Sequence, residues 1–217
     1  MIAEMEPEAI ARSYDALAQK WQDLPNPQYG MSSLSRALAF APKSGAALDI
    51  GCGSQGRMIG LLLQRGFQVE GIDVSAKMVE LARERHSMVV FHHVDISTWD
   101  LPRAYNFICA WDSIWHLPMI RQEPVLKKIC NGLAPGGVCL LTSVGFDEPG
   151  DHGDSRQMGQ PLAYGTLGVP RLLELLAEFG CIPRHLEYDQ YPELHLVIVA
   201  QKKDSQPAGP ALNSRTA

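Results

Sequence analysis

Three aspartates stand at the ends of short apolar runs: Asp49 within Leu48-Asp49-Ile50, Asp73 after Gly71-Ile72, and Asp95 after His93-Val94. The first is followed directly by Gly51-Cys52-Gly53-Ser54-Gln55-Gly56. Glycines at this spacing let the backbone pass close to a ligand, and they open a helix whose free amides favour partial negative charge. The same Gly-x-Gly-x-x-Gly spacing is the dinucleotide fingerprint. An acid about twenty residues further on, here Asp73, suits a ribose, because one carboxylate accepts from both hydroxyls of a cis-diol. A mononucleotide or dinucleotide ligand follows either way. Asp49 separates the two: it would repel a pyrophosphate, whereas a ligand with an amino group or sulfonium and no phosphate would tolerate or prefer it.

These residues need a scaffold that presents them together. From Ala46 onward, short apolar runs alternate with longer amphipathic ones, the pattern of βαβ units around a mostly parallel sheet. Strands are expected at Ala46–Ile50, Phe67–Ile72, Met88–Val94, Asn106–Trp111 and Val138–Ser143. Helices are expected between them at Gly56–Arg65, Ala76–His86 and Glu123–Cys130. Ser75 reads as an N-cap, Gly66 as the residue just past a helix end, and Pro124 as a first-turn proline. Leu133 to Gly137 reads as a tight turn leading into the fifth strand. A helix at Val169–Phe179 precedes two strands, Ile182–Asp189 and Leu194–Gln201, joined through Tyr191-Pro192 as an antiparallel hairpin. Gly145 to Gly168 shows no period and is long enough for a lid. Upstream, Ile10, Tyr14, Leu17 and Trp21 share one face of a helix at Glu8–Trp21. Residues 1–44 are therefore expected to form a helical cap on a domain spanning 45–203, with 204–217 a disordered tail. In open parallel sheets ligands bind beyond the carboxyl ends of the strands, which is where the three aspartates stand.

With these segments in this order, the chain resembles the class I S-adenosylmethionine-dependent methyltransferases. The resemblance is carried by Leu48-Asp49-Ile50-Gly51-Cys52-Gly53, Gly71-Ile72-Asp73-Val74-Ser75, His93-Val94-Asp95 and Leu133-Ala134-Pro135-Gly136-Gly137-Val138, and it covers about residues 45 to 201. It implies a Rossmann-like α/β fold: a seven-stranded, mostly parallel sheet with helices on both faces and a C-terminal antiparallel hairpin. It also implies S-adenosyl-L-methionine as cofactor. By the same resemblance Asp49, Gly51, Cys52 and Gly53 would hold the methionine end, Asp73 and Val74 the ribose, and Asp95 and Ile96 the adenine. Where the family usually has its third glycine this chain has Gln55, with Gly56 one place later. Either the turn differs here or Gln55 takes a conformation that glycine normally takes.

The segment Trp111-Asp112-Ser113-Ile114-Trp115-His116-Leu117 occupies the place of the family's motif beside the transferred methyl. It contains neither an Asn-Pro-Pro-Tyr-like segment, as in methylases of nucleobase or glutamine amides, nor the Pro-Cys nucleophile of those acting on pyrimidine carbon. The resemblance then points to an O, N or S atom of a small molecule. Such a displacement needs alignment, exclusion of water and, for a protonated acceptor, a base. His116 and Asp112 are the candidate bases, with His152 behind them. Tyr14, Trp21, Trp111 and Trp115 would form an aromatic cover able to meet a sulfonium by cation–π contact. Tyr14 and Trp111 are assigned to the cofactor, and Trp115, Trp21 and Tyr164 to the acceptor. Plainer roles stand beside these: Trp111 and Trp115 as core aromatics, His116 in a local hydrogen bond, Asp95 as a turn cap, and Arg57, which could reach a carboxylate from beside the glycine turn, as a surface arginine. Two other functions also stand, an NAD(P)-dependent oxidoreductase suggested by the glycine spacing and a non-catalytic cofactor-binding protein of the same fold hinted at by Gln55.

Composition narrows the partners. In a chain of 217 residues, 46% hydrophobic and 20% charged, one self-sufficient core is expected. The 24 acids exceed the 19 lysines and arginines, which gives no general electrostatic reason to bind nucleic acid. The acidic N-terminus lacks the basic and apolar regions of a signal peptide, and no run approaches the ~18 apolar residues of a membrane span. A cytoplasmic protein with a small-molecule partner is expected, and the oligomeric state stays open. The five cysteines are odd in number and show no zinc-like spacing, and Cys109, Cys130 and Cys139 lie among apolar neighbours, as small core residues do. His92 and His93 point to opposite faces of a strand and cannot form a metal pair, so no metal site is expected.

Overall fold

The computed structural model describes residues 5–24, 28–153 and 156–204. Helices α1 (Pro7–Asp23) and α2 (Met31–Leu38) precede the alternation β1 (Gly45–Ile50), α3 (Arg57–Gln64), β2 (Phe67–Asp73), α4 (Ala76–Arg85) and β3 (Val90–His93). Then come β4 (Tyr105–Ala110), a single 3-10 turn at Ile114–His116, α5 (Met119–Gly132) and β5 (Leu133–Val144). Residues 145–168 carry two small antiparallel pairs, β6 (Gly150–His152) with β9 (Tyr164–Thr166) and β7 (Arg156–Gln157) with β8 (Gln160–Pro161). Helix α6 (Val169–Glu178) and the hairpin β10 (Cys181–Tyr188) to β11 (His195–Lys202) complete the fold.

The main sheet has seven strands in the order β10-β11-β5-β4-β1-β2-β3. Only β11 runs against the others, antiparallel to both β5 and β10. From β1 the chain first builds outward through β2 and β3, then returns to lay β4 on the other side of β1. At that reversal the loops leaving β1 and β4 diverge and leave a crevice at their carboxyl ends. The glycine turn and the Trp111–His116 segment are those two loops.

Apolar residues on both faces explain why the central strands read as unbroken hydrophobic runs. On one face Leu48, Ile108 and Leu141 pack under Val125, Leu126 and Ile129 of α5 and Leu172, Leu175 and Leu176 of α6. On the other, Phe107, Cys109 and Leu140 meet Leu34 and Leu38 of α2, Ile59 and Leu62 of α3, and Val79 of α4. Ser75 caps α4 as expected, its hydroxyl accepting from the Met78 amide at 3.0 Å. All five cysteines are buried free thiols.

Several boundaries differ from expectation for physical reasons. The third strand is only Val90–His93, an edge strand that leaves Met88 94% exposed, so nothing on its open side extends it. Helix α5 starts at Met119, which places Pro124 inside it instead of in its first turn. The ring forfeits the hydrogen bond to the carbonyl of Ile120, a well-exposed residue where water is at hand. Leu133–Gly137 belongs to β5 itself and causes a register shift against β4 between Tyr105 and Phe107. The expected loop 145–168 is partly paired, and all but Asp204 of the stretch 204–217, expected as a disordered tail, lies outside the described residues.

Helix α1 is held across the crevice by side-chain bonds. Ser13 Oγ donates to the Pro161 carbonyl at 2.8 Å, and Asp15 accepts from Ser75 Oγ at 2.6 Å and from the Lys77 amide at 3.1 Å. Its Ile10 and Leu17 pack on Leu162, and its Ala18 on Met78 and Leu81. No helix among the described residues is long and apolar enough to cross a membrane.

Candidate active site

The turn after β1 is built for close approach. Gly51 has φ 69°, and a Cβ there would stand 2.3 Å from Ser113 Cβ in the facing loop. Gly53, at φ 62°, has no heavy atom within 4 Å of the place a Cβ would fill, so its outer side is open. Gly56, not Gln55, takes the left-handed conformation that opens α3. The turn is therefore displaced by one residue from the usual spacing, which releases the Gln55 side chain for another task. Its Nε2 donates to the carbonyls of Trp21, Gln22 and Leu24 at 2.7, 3.2 and 3.3 Å, satisfying the C-terminal end of α1.

Asp73 ends β2 with Oδ2 accepting from the Gly53 amide and Oδ1 from the Ser75 amide, both at 2.9 Å. Burial raises its pKa, and the two amides pull the other way. Asp49 is 2% exposed, and its Oδ2 has no hydrogen-bond partner. Burial pushes its pKa up to about 7, against the attraction of Arg57 and with a further push from Asp73. Asp95 caps its own loop, accepting from the amide of Ser97 at 2.8 Å and from its hydroxyl.

A cavity of about 640 Å3 fills the crevice between the two loops and α1. Gly51, Cys52, Gly53, Asp73, Val74, Asp95 and Ile96 line one part of it. Tyr14, Trp21, Trp111, Asp112, Trp115, His116 and Tyr164 line the rest. Of the residues singled out from the sequence as site candidates, Asp49 lies behind the wall, and His152 stands outside it, stacked on Tyr164 at 5.0 Å. Among the described residues no cluster of metal-ligating side chains forms.

His116 is fully engaged. Its Nδ1–H donates to the Ala163 carbonyl at 2.9 Å, which leaves Nε2 as acceptor. Tyr14 Oη–H donates to Nε2 at 2.7 Å and Trp115 Nε1–H at 3.0 Å. Burial lowers its pKa and outweighs the Ala163 carbonyl and the attraction of Asp112, so the ring is neutral. One imidazole thus joins α1, the 3-10 turn and the 145–168 segment.

The side chain that sequence reasoning missed is His195. It begins β11, whose reversed direction brings the start of that strand, paired with Val144, to the carboxyl edge where the parallel strands end. Its Nε2–H donates to Asp112 Oδ1 at 2.9 Å and its Nδ1–H to Asp189 Oδ1. Burial opposes its charge, but the bonds to and attraction of Asp112 and Asp189 prevail and raise its pKa. Asp112 itself has φ 51°, with its amide donating to Thr142 Oγ1 at 2.7 Å. A non-glycine residue held in this conformation at a site is a strained, over-determined one. Tyr29 and Gln190 also line the cavity and had no periodic signal, and Arg57, read from the sequence as a surface arginine, lines it too. Gln190 donates to Tyr29 Oη at 2.9 Å, and the Arg57 guanidinium lies over the Tyr29 ring, 5.1 Å from its centre.

A family model described as Methyltransferase domain matches residues 21–187. A dTDP-3-amino-3,6-dideoxy-alpha-D-glucopyranose N,N-dimethyltransferase from Streptomyces fradiae is 30% identical over 142 residues, 64% of this chain and 54% of that protein. A trans-aconitate 2-methyltransferase from Methylobacterium radiotolerans is 36% identical over 173 residues, 72% of this chain and 62% of that protein. The chain therefore spans between half and two thirds of these relatives. Among solved structures, an amino pentose methyltransferase from Micromonospora echinaspora superposes with a TM-score of 0.68 at 20% identity, covering 87% of this chain and 96% of that one. The Burkholderia thailandensis 1,6-didemethyltoxoflavin-N1-methyltransferase gives 0.65 at 23% identity, covering 93% of this chain and 89% of that one. These likenesses establish the Rossmann-like methyltransferase fold, and the family match over most of the chain places this protein in the methyltransferase-domain family.

Proposed function

We propose that the protein is an S-adenosylmethionine-dependent methyltransferase acting on an O, N or S atom of a small molecule. The observation that carries this is Asp73: a buried carboxylate, oriented by two backbone amides, that still faces the cavity beside the glycine turn. Each of its oxygens keeps a lone pair, the arrangement that a ribose diol requires. The surroundings fit the rest of such a cofactor. The open side of Gly53 leaves room at the turn, Asp95 and Ile96 line the adenine end, and Arg57 forms no ion pair among the described residues and so is free for a carboxylate. Aromatic faces of Tyr14 and Trp111 suit a sulfonium.

When bound, the cofactor supplies a methyl group already activated on positive sulfur. The chain then needs to align an acceptor, exclude water and manage a proton. Helix α1, held by Ser13, Asp15 and Gln55, serves as the cover that excludes water. His116 keeps that cover seated, while Asp112 and Trp115 face the acceptor. Relatives named for a nucleotide-linked amino sugar and for trans-aconitate support a small-molecule acceptor. Five buried free thiols suit a reducing, cytoplasmic setting. The match to a methyltransferase-domain family favours this reading over the nicotinamide enzyme that the glycine spacing suggested, and the clamp made by Gln55 removes the one hint of a binding-only protein.

Titration calorimetry with S-adenosylhomocysteine tests the proposal. The wild type should bind and Asp73→Ala should lose most of that affinity. Absence of binding by the wild type, or equal binding by the variant, would overturn it.

A further inference from the structure

We infer that the methyl acceptor is an amine, bound as an ammonium group at Asp112 and deprotonated there, with His195 as the residue that positions Asp112. This rests on the methyl-transfer function proposed above and names its acceptor class.

The acceptor end of the cavity is anionic by construction. Asp112 lines it with a side chain 27% exposed, while its Oδ1 accepts from His195 Nε2–H at 2.9 Å and from Thr142 Oγ1–H at 3.2 Å. The His195 side chain is only 7% exposed, and both of its N–H groups are spent, one on Asp112 and one on Asp189. The rings of Trp115, Trp111 and Tyr29 surround it at 5.4, 5.5 and 6.2 Å. Its positive charge is therefore enclosed and offers no donor to a ligand. Two carboxylates around one imidazolium leave one net negative charge, and Glu193 lines the same region. Arg57, which begins α3, lies over the Tyr29 ring, 5.1 Å from its centre, and among the described residues forms no ion pair with Asp112 or Asp189. An anionic acceptor would meet repulsion here, whereas an alkylammonium meets a carboxylate among aromatic faces, the two partners that such a group binds best.

An ammonium nitrogen has no lone pair with which to accept a methyl group. At Asp112 one N–H bond breaks with its electron pair remaining on nitrogen, and the proton forms an O–H bond on the carboxylate. The amine is then a neutral nucleophile, and Asp112 returns the proton to water after the product leaves. His195 acts through Asp112: its hydrogen bond and the left-handed backbone aim the carboxylate into the cavity. Asn tolerates that backbone well, so Asp112→Asn should fold.

The experiment uses the full chain saturated with S-adenosylhomocysteine and three probes of one skeleton: benzylamine, benzyl alcohol and benzoate. Calorimetry or ligand-observed NMR should show benzylamine binding tightest, with its affinity falling about tenfold or more in Asp112→Asn. Nitrogen NMR of the His195 ring should show both nitrogens protonated near neutral pH, and the pH at which it loses a proton should fall in Asp112→Asn and Asp189→Asn. The other polar groups around this ring, Tyr29 and Gln190, stay in place in both variants. Benzoate or benzyl alcohol binding as well as benzylamine, no benzylamine binding, unchanged affinity in Asp112→Asn, or a neutral His195 ring would each overturn the inference. Failure of the wild type to bind S-adenosylhomocysteine would instead remove the methyl-transfer function on which it rests.

Discussion

Asp49 gives the sharpest physical prediction. The carboxylate is 2% exposed, one oxygen has no partner, and burial raises its pKa to about 7. In the unfolded chain an aspartate titrates near ~3.9. Between those two values the folded state holds a proton that the unfolded state has released, so this group's contribution to stability falls as pH rises. Integrated from about pH 5 to about pH 8, the loss is about 2.5 kcal/mol. Asp49→Asn is nearly isosteric and carries no charge at any pH, so it abolishes this dependence. Urea denaturation followed by tryptophan fluorescence should show the variant gaining about 2.5 kcal/mol on the wild type between those conditions. The differences caused by His116 and His195 are common to both proteins and cancel. Parallel pH profiles would show that Asp49 is already ionised in the folded protein and would refute the argument. The same proton bears on function. A cationic ligand at the glycine turn pulls the pKa of Asp49 down, so S-adenosylmethionine should release a fraction of a proton on binding near neutral pH. Calorimetry in two buffers of different ionisation enthalpy measures that release, and no buffer dependence would count against the electrostatic role.

Other positions give simpler tests. Gly51→Ala places a Cβ 2.3 Å from Ser113 Cβ at φ 69°, so it should cost about 2 kcal/mol or more and abolish S-adenosylhomocysteine binding; a stable variant with normal affinity would contradict the close approach. Gln55→Ala removes the donor to three carbonyls at the end of α1. It should destabilise α1 locally by about 1–2 kcal/mol and speed its amide exchange, and unchanged exchange would mean that the clamp does not hold the helix. Tyr14→Phe deletes one of the two donors to His116 Nε2. In the wild type that ring should take up its proton only below the ordinary histidine range, as read by proton NMR, and an ordinary titration near pH ~6.5 would show that it is not buried as described.

The alternation of apolar runs and the residues that end them determined much of this protein by themselves. Asp49, Asp73 and Asp95 could be placed at strand ends, the glycine turn between strand and helix, and Trp111 to His116 after a central strand, because strand periodicity and helix caps are local properties. The βα alternation also implies parallel strands joined by crossovers, but it leaves open which strands are neighbours, so the reversal around β1 belongs to the tertiary structure. Tertiary structure decided the rest. It placed Asp49 behind the cavity wall and not in it, because burial depends on what packs above the turn. The Gln55 side chain was assigned to α1 only once α1 lay across the crevice, a contact between residues more than thirty positions apart. His195 entered the site because β11 alone runs backward, so a residue that begins a strand arrives where the others end. Its two carboxylate partners come from separate loops after β4 and β10, and no pattern along the chain links Asp112, Asp189 and His195. Local sequence sets the turns that each strand carries at its own end; the part of the cavity around Asp112 and His195 forms only where distant segments converge, and its chemistry is a property of that convergence.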